Sequence, residues 1–153
     1  MIFLARLYQA TGKERFREAF LKALQYILDG QYENGGWPQI WPNTEGYHAH
    51  ITFNDDAIVN ILEIFDDIRN GLTPYEGDLI DKTQRKRVEK AFKRAIECIL
   101  KCQIYVDGKP TVWCQQHYKD TFEPAPARVF EHACYCTQES ATLVRLLMTL
   151  PKP

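Results

Sequence analysis

The chain has 153 residues, of which 45% are hydrophobic and 25% are charged, as expected for one globular domain or part of one. Its 19 basic and 20 acidic residues give a formal net charge of −1, without the basic excess typical of nucleic-acid binding. No apolar run approaches the roughly 18 residues needed to span a bilayer, and no signal-peptide pattern follows Met1. We therefore expect neither nucleic acid nor a membrane as a partner.

The spacing of apolar residues predicts five helices and two long loops. The helices cover about 2–10, 14–28, 54–70, 82–102 and 138–150, and the loops about 31–50 and 103–136. Gly12 and Gly71 follow the first and third helices, where glycine favours a helix end, and Pro151 is the predicted stop of the fifth. The chain is therefore predicted to be mainly helical.

An internal repeat is visible when Tyr26–Gln39 is compared with Cys98–Gln116. Each segment has a helix end with Ile-Leu, then Gln, an aromatic residue, Gly, Trp and Gln. Repeated helix pairs of this kind need neighbours to bury their apolar faces, and the long loops would gather at one end. The pattern predicts an α/α toroid, an incomplete helical barrel in this chain, with functional residues at the long-loop end. Chance similarity between two helix ends is the alternative.

Aromatic residues in both loops are candidates for binding sugar rings. Trp37 lies in the first loop and Trp113 in the second, and the flat face of an indole ring suits the apolar face of a sugar. The same ring can also fold back onto the core. For Trp37 both interpretations stay open.

Asn54, Asp55 and Asp56 form an oxygen-rich cluster where the third helix is predicted to begin. Carboxylate and amide oxygens are the ligands that hard cations prefer. The structural alternative is that Asn54 caps the helix and that both carboxylates lie near the positive end of its dipole.

The second loop contains candidates for acid–base and anion-binding roles. Arg128 follows Pro-Ala-Pro-Ala, where two prolines stiffen the backbone that presents its charge; alternatively, it forms an ion pair with Glu131 or Asp55. On chemistry alone His117, next to Gln116, is the preferred proton acceptor, because its reference pKa is near neutral.

The spacing of two of these candidates follows the repeat. Asp55 lies 24 residues after Gln31, and Arg128 lies 25 residues after Gln103. If the repeat is real, both occupy equivalent positions on adjacent units. We therefore expect them to face the same cleft.

The motifs NGGWPQ at 34–39, HITFNDDA at 50–57, VWCQQH at 112–117 and PAPAR at 124–128 together resemble the family 10 pectate lyases. The resemblance implies an α/α toroid that cleaves polygalacturonate by β-elimination with calcium as cofactor. It also implies that Asp55 binds calcium and the substrate carboxylate, and that Arg128 is the base that removes the proton at C5. Further candidate substrate contacts are Trp37, Asn54, Asp56, Trp113, Gln116 and His117. The implied setting is secreted or periplasmic.

The sequence departs from the family pattern in three places. Tyr118 stands where the family has an acidic residue, and Phe130–Gln138 replaces a Ser-Gly-rich turn. An upstream calcium-binding aspartate of the family has no counterpart, because the chain begins at the following helix. We therefore expect residues 1–153 to be a single lyase-like domain, either the central portion of a catalytic domain or a shortened homologue, with low or no activity alone. Exposed apolar faces would also favour self-association.

Two other functions remain as alternatives at the level of sequence. One is a non-catalytic module that binds acidic glycans in the same cleft. The other is a terpene-cyclase-like toroid enzyme, although Asp55-Asp56 alone does not supply the Asp-rich motif that such an enzyme needs. Product formation separates the lyase from the binding module, and binding of oligogalacturonate separates both from the cyclase.

The cysteines do not suggest a disulfide framework. Their odd number is more typical of reduced or buried thiols, and no CxxC pair points to a zinc site. The five are Cys98, Cys102, Cys114, Cys134 and Cys136.

Overall fold

The computed structural model describes residues 1–150 and is mainly helical, as predicted. The predicted stop at Pro151 lies outside the described residues. The helices are α1 (Ile2–Thr11), α2 (Glu14–Asp29), α3 (Ala57–Asn70), α4 (Lys82–Cys102) and α5 (Thr137–Thr149). Four two-residue strands lie in the long loops: β1 (Ile51–Thr52), β2 (Tyr105–Val106), β3 (Lys109–Pro110) and β4 (Gln116–His117).

Local sequence explains where the helices begin and end. Gly12 and Gly71 adopt φ of 61° and 65°, a left-handed conformation that ends a helix with little strain only for glycine. A capping box begins α4: the Gln84 N–H donates to the Asp81 carboxylate at 2.7 Å, and the Asp81 N–H donates to the Gln84 side chain at 3.1 Å. The glycines after the helices and the Asp and Gln of the capping box can both be recognised in the sequence.

The predicted start of the third helix at Asn54 is wrong. Asn54–Asp56 form a separate 3-10 turn, in which Asp55 and Asp56 have φ of 55° and 56°. Because these conformations break the right-handed path, α3 begins only at Ala57. Asn54 also makes no capping bond to α3; its side-chain amide donates instead to the Asp55 carboxylate at 2.7 Å.

The two long loops are joined by strand pairing that local sequence patterns did not predict. Strand β1 pairs antiparallel with β4, with Thr52 opposite Gln116 and Ile51 opposite His117. Next to this pair, the N–H groups of Phe53 and Asn54 both donate to the Gln115 carbonyl, at 2.8 and 3.0 Å. The backbone just before Asp55 in the first loop is therefore fixed to the second loop.

The same contacts recur in both units of the repeat. The indole N–H groups of Trp37 and Trp113 each donate to a backbone carbonyl at the end of the preceding helix, on Ile27 and Ile99, both at 2.7 Å. Both rings are almost fully buried. This shared geometry supports a true repeat rather than chance similarity, and it explains the recurring Trp by packing of a loop on its helix.

The paired glycines of NGGWPQ allow the first loop to approach two other elements. A Cβ on Gly35, where φ is 97°, would lie 2.1 Å from the carbonyl oxygen of Arg94 on α4. A Cβ on Gly36 would lie 2.7 Å from the Ile51 side chain of β1. Only glycine permits both approaches, so this part of the motif is required for packing.

One apolar core lies beneath the loops and between the helices. Trp37 packs edge-on against Phe65 of α3, with ring centroids 6.0 Å apart, and Val88, Phe92 and Ile99 of α4 are buried in the same cluster. Within residues 1–150, no helix combines the length and apolarity needed to cross a bilayer.

Candidate active site

A polar cleft of about 230 Å³ opens at the end of the molecule where the long loops meet. Asp55 and Arg128 both line it, as their equivalent positions in the repeat predict. The complete lining is Gln39, Tyr47, Asn54, Asp55, Gln115, Gln116, Ala127, Arg128 and Glu131.

Asp55 reaches the cleft from a strained turn. It and Asp56 adopt left-handed backbone conformations in succession, each at a cost of roughly 1–3 kcal/mol for a residue other than glycine. The Gln115 carbonyl holds the turn by accepting two backbone N–H groups. The Asp55 carboxylate is exposed and accepts only the Asn54 amide among the described residues. Strain of this kind is typical of functional sites.

Arg128 is oriented by a bidentate ion pair with Glu131. Its Nε donates to Glu131 Oε2 at 2.7 Å, its Nη2 donates to Oε1, and its backbone N–H donates to Oε2 at 3.1 Å. The charged hydrogen bonds raise the pKa of Arg128 and lower the pKa of Glu131 to about 2. Arg128 is therefore a fixed positive charge in this conformation.

Gln116 forms part of the cleft wall and has an unsatisfied oxygen. Its side-chain nitrogen makes long hydrogen bonds of 3.4 Å to Gln39 and Thr52. Its Oε1 is buried and has no partner. A buried acceptor without a donor is unfavourable by about 1–3 kcal/mol, and a cation or a ligand donor that entered the site after a small side-chain movement would relieve this.

Three of the candidate substrate contacts lie in the core and not on the cleft. Trp37 and Trp113 are 5% and 1% exposed, with their indole N–H groups bound to helix ends. His117 is fully buried: its Nδ1 donates to the Phe122 carbonyl at 2.8 Å, and its Nε2 accepts the Cys114 N–H at 3.0 Å. Both ring nitrogens are occupied, so we assign these residues to holding the loops.

Asp56 also lies away from the cleft, although it follows Asp55 directly. Its carboxylate accepts the Thr142 hydroxyl at 2.5 Å. It lines a separate groove between α3 and α5 that also contains Glu63, Asp66 and Arg145. The left-handed turn thus sends the two neighbouring carboxylates to different places.

Five residues that line the cleft were missing from the predicted site: Gln39, Tyr47, Gln115, Ala127 and Glu131. Signals for three of them were present. Gln39 ends NGGWPQ, Gln115 precedes Gln116, and Glu131 was considered only as an ion-pair partner. What sequence could not show is which side of each loop faces the cleft.

The donor groups of the cleft agree in kind with a calcium site. Asp55 supplies one exposed carboxylate, and Asn54, Gln39 and Gln115 supply amide oxygens, all of the hard type that calcium binds. Within residues 1–150, no group of three His, Cys, Asp or Glu side chains could hold a metal ion. Since calcium takes about six or more oxygens, the described residues of this cleft would supply only part of its ligands.

Comparison with known proteins identifies the class to which this fold and cleft belong. The family model described as pectic acid lyase matches residues 1–153. The chain therefore belongs to the pectic acid lyase family. This assignment leaves the terpene-cyclase alternative without support.

Two solved structures are close in fold. A family 10 polysaccharide lyase from Cellvibrio cellulosa is 34% identical, with a TM-score of 0.94 over 99% of this chain and 47% of that one. A point mutant of that lyase in complex with trigalacturonic acid is also 34% identical, with a TM-score of 0.93 over 97% of this chain and 47% of that one. The chain thus spans about half the length of these structures. The search of curated proteins found no match.

The buried His117 makes the stability of this end of the molecule depend on pH. Burial lowers the pKa of His117 below its usual value near 6.5, so the folded state favours the neutral ring. Between the folded pKa and about 6.5, the unfolded chain binds more protons. We predict that the free energy of unfolding is highest above about pH 6.5 and falls as the pH drops towards the folded pKa.

Urea denaturation at intervals between pH 5 and 8 measures this dependence. His117→Gln should flatten the slope without abolishing it, because burial also lowers the pKa of His50. His132→Gln, a change at an exposed loop position, is the control and should leave the slope as in the parent. A parent slope that survives unchanged in His117→Gln would contradict the assignment.

Proposed function

We propose that this chain carries the catalytic cleft of a calcium-dependent pectate lyase that cleaves polygalacturonate by β-elimination. The observation that supports this best is the presence of Asp55 and Arg128 on one polar cleft in a member of the pectic acid lyase family. The related lyase in complex with trigalacturonic acid suggests the substrate class. An α/α toroid, closed by further helices, is the proposed architecture of the whole enzyme.

The chemistry of the cleft suits an acidic sugar. The planar fork of Arg128 matches the geometry of a carboxylate, to which guanidinium binds through two parallel hydrogen bonds. Tyr47, half-buried at the cleft, offers a ring face to a sugar. In this proposal a galacturonate unit lies between Arg128 and Asp55.

Asp55 would hold calcium together with the substrate carboxylate, with Asn54 as an additional oxygen donor. Bound calcium supplies positive charge that makes the proton at C5 more acidic. Arg128, on the same cleft, would accept that proton. The double bond between C4 and C5 would then form as the bond from C4 to the bridging oxygen breaks, and the leaving oxygen would take a proton from water. The products are a shortened chain and an unsaturated uronide.

One observation favours a second candidate function, a non-catalytic module that binds acidic glycans. A guanidine accepts a proton only in its neutral form, but the ion pair with Glu131 raises the pKa of Arg128. If substrate does not displace Glu131, Arg128 stays charged and serves only to bind carboxylates. The two functions therefore differ in what Glu131 does when substrate arrives.

The proposed setting and assembly follow from the same assignment. A pectin substrate places the enzyme outside the cell or in the periplasm. Exposed apolar side chains on α1 and α5, such as Phe3 at 68% and Met148 at 79%, are available for contact with further helices or with a second copy. Self-association of residues 1–153 is accordingly part of the proposal.

Absorbance of the unsaturated product, measured on polygalacturonate with calcium and then with EDTA, tests the lyase directly. We expect a weak calcium-dependent signal, lowered at least about 100-fold by Arg128→Ala, which removes the proposed base. Asp55→Asn should lower it as well. Asp56→Asn is the matched control, because Asp56 has the same backbone conformation but lies off the cleft.

Binding of trigalacturonate, measured by calorimetry alongside, separates the candidates. Binding that depends on Arg128 without any product would favour the glycan-binding module. The absence of both product and binding would overturn both functions for this chain.

The role of Glu131 is tested by Glu131→Gln. Removal of its charge lowers the pKa of Arg128, so that the neutral guanidine becomes available at lower pH. If Arg128 is the base, the rising limb of the pH–rate profile should move to lower pH. A profile that keeps its position while the KM for substrate rises would instead assign Arg128 to binding alone.

A further inference from the structure

The buried side chain of Cys114 contacts the loop that carries Arg128. We call residues 125–134 the Arg128 loop. The Cys114 thiol, 1% exposed, donates to the Ala125 carbonyl at 3.8 Å, and its sulfur accepts the Cys134 backbone N–H at 3.4 Å. Cys114 thus contacts both ends of the loop at once.

The thiol of Cys134 is the natural covalent partner of that sulfur. Its own sulfur is three bonds from the backbone nitrogen that contacts Cys114, so rotation about one side-chain bond moves it towards or away from the first sulfur. Burial raises the pKa of Cys134, and the electrostatic interaction and hydrogen bond with the Cys114 side chain raise it further, so its thiolate forms at a higher pH than that of an ordinary cysteine. The side chain of Cys134 is exposed, whereas Cys114 is not.

The remaining cysteines are engaged elsewhere. Cys98 and Cys102 are buried on α4 and face each other one helical turn apart. The Cys136 thiol donates to the Glu139 carboxylate. Cys136 lies only two residues from Cys134, so it provides a matched control for position along the chain.

We propose that Cys114 and Cys134 form a reversible disulfide that closes the Arg128 loop onto the segment leading into β4. The oxidant is a low-molecular-weight disulfide such as oxidised glutathione. The Cys134 thiolate attacks one glutathione sulfur, forming a mixed disulfide and releasing one glutathione thiolate. The Cys114 thiolate then attacks the Cys134 sulfur and releases the second. Two protein thiols lose two protons and two electrons, and one glutathione disulfide becomes two thiols.

This disulfide would have a defined effect on the cleft. Cys114 directly precedes Gln115 and Gln116 of the cleft wall, and Cys134 follows Arg128 and Glu131. The bond would therefore fix the ion pair of Arg128 relative to the wall. Under reducing conditions the loop is held to this segment by the Ala125 N–H, which donates to the Gln116 carbonyl at 2.9 Å, and by the two weak sulfur contacts.

The test begins with the reduced 153-residue protein, which is incubated with oxidised glutathione. The protein is then denatured and alkylated, and its mass is measured by mass spectrometry. We expect the number of alkylated thiols to fall from five to three, with a mass lower by two hydrogens before alkylation. Fragmentation of the cross-linked peptide should place the bond between Cys114 and Cys134. Cys136→Ser should still form the bond, and Cys134→Ser should not.

Three results would overturn the proposal. They are five alkylated thiols after oxidation, a cross-link through Cys136, and a stable glutathione adduct on Cys134 that Cys114 does not resolve. Because the wild-type peptide map decides among these outcomes, the test does not depend on the folding of any variant.

Discussion

The site depends on the antiparallel pairing of β1 with β4, which joins two loops from opposite halves of the chain. Thr52 lies opposite Gln116, and the Gln115 carbonyl holds the next two N–H groups, of Phe53 and Asn54. Without this junction, Asp55 and Arg128 would lie on independent loops. The buried indoles of Trp37 and Trp113 then fix each loop to its own helix, so a polar cleft rests on an apolar core.

The cleft carries one guanidinium, of Arg128, and two carboxylates, of Asp55 and Glu131. Arg128 is held charged by Glu131, and Asp55 presents a carboxylate with few partners. A cleft with both signs of charge suits a ligand that brings a carboxylate together with a bound cation. The strained turn at Asp55 and Asp56 directs the Asp55 carboxylate into the cleft but is unfavourable locally. The pairing of β1 with β4 and the apolar core must offset that loss of stability.

Much of the fold was predictable because its signals are local. Periodic apolar residues predicted the five helices found within residues 1–150, and Gly12 and Gly71 marked the ends of two of them. The cleft was harder to predict, because the left-handed turn at Asp55 and the burial of His117 and Trp113 depend on contacts between residues far apart in sequence. Composition alone cannot tell a sugar-binding indole from one that packs a loop. The internal repeat, in which Gln31 and Gln103 are 72 residues apart, was the exception. Because Asp55 and Arg128 hold equivalent positions in its two units, it correctly predicted that they line one cleft.

Asp55 and Arg128 are proposed to act on one bound uronate. A double-mutant cycle on the affinity for trigalacturonate tests this proposal most directly. Calorimetry in the presence of calcium would compare the parent chain with Asp55→Asn, Arg128→Lys and the double variant. The account predicts that the double variant loses less binding free energy than the sum of the single losses, by about 1 kcal/mol or more. Losses that add to within about 0.3–0.5 kcal/mol would show that the two residues act on separate parts of the ligand, and would contradict it.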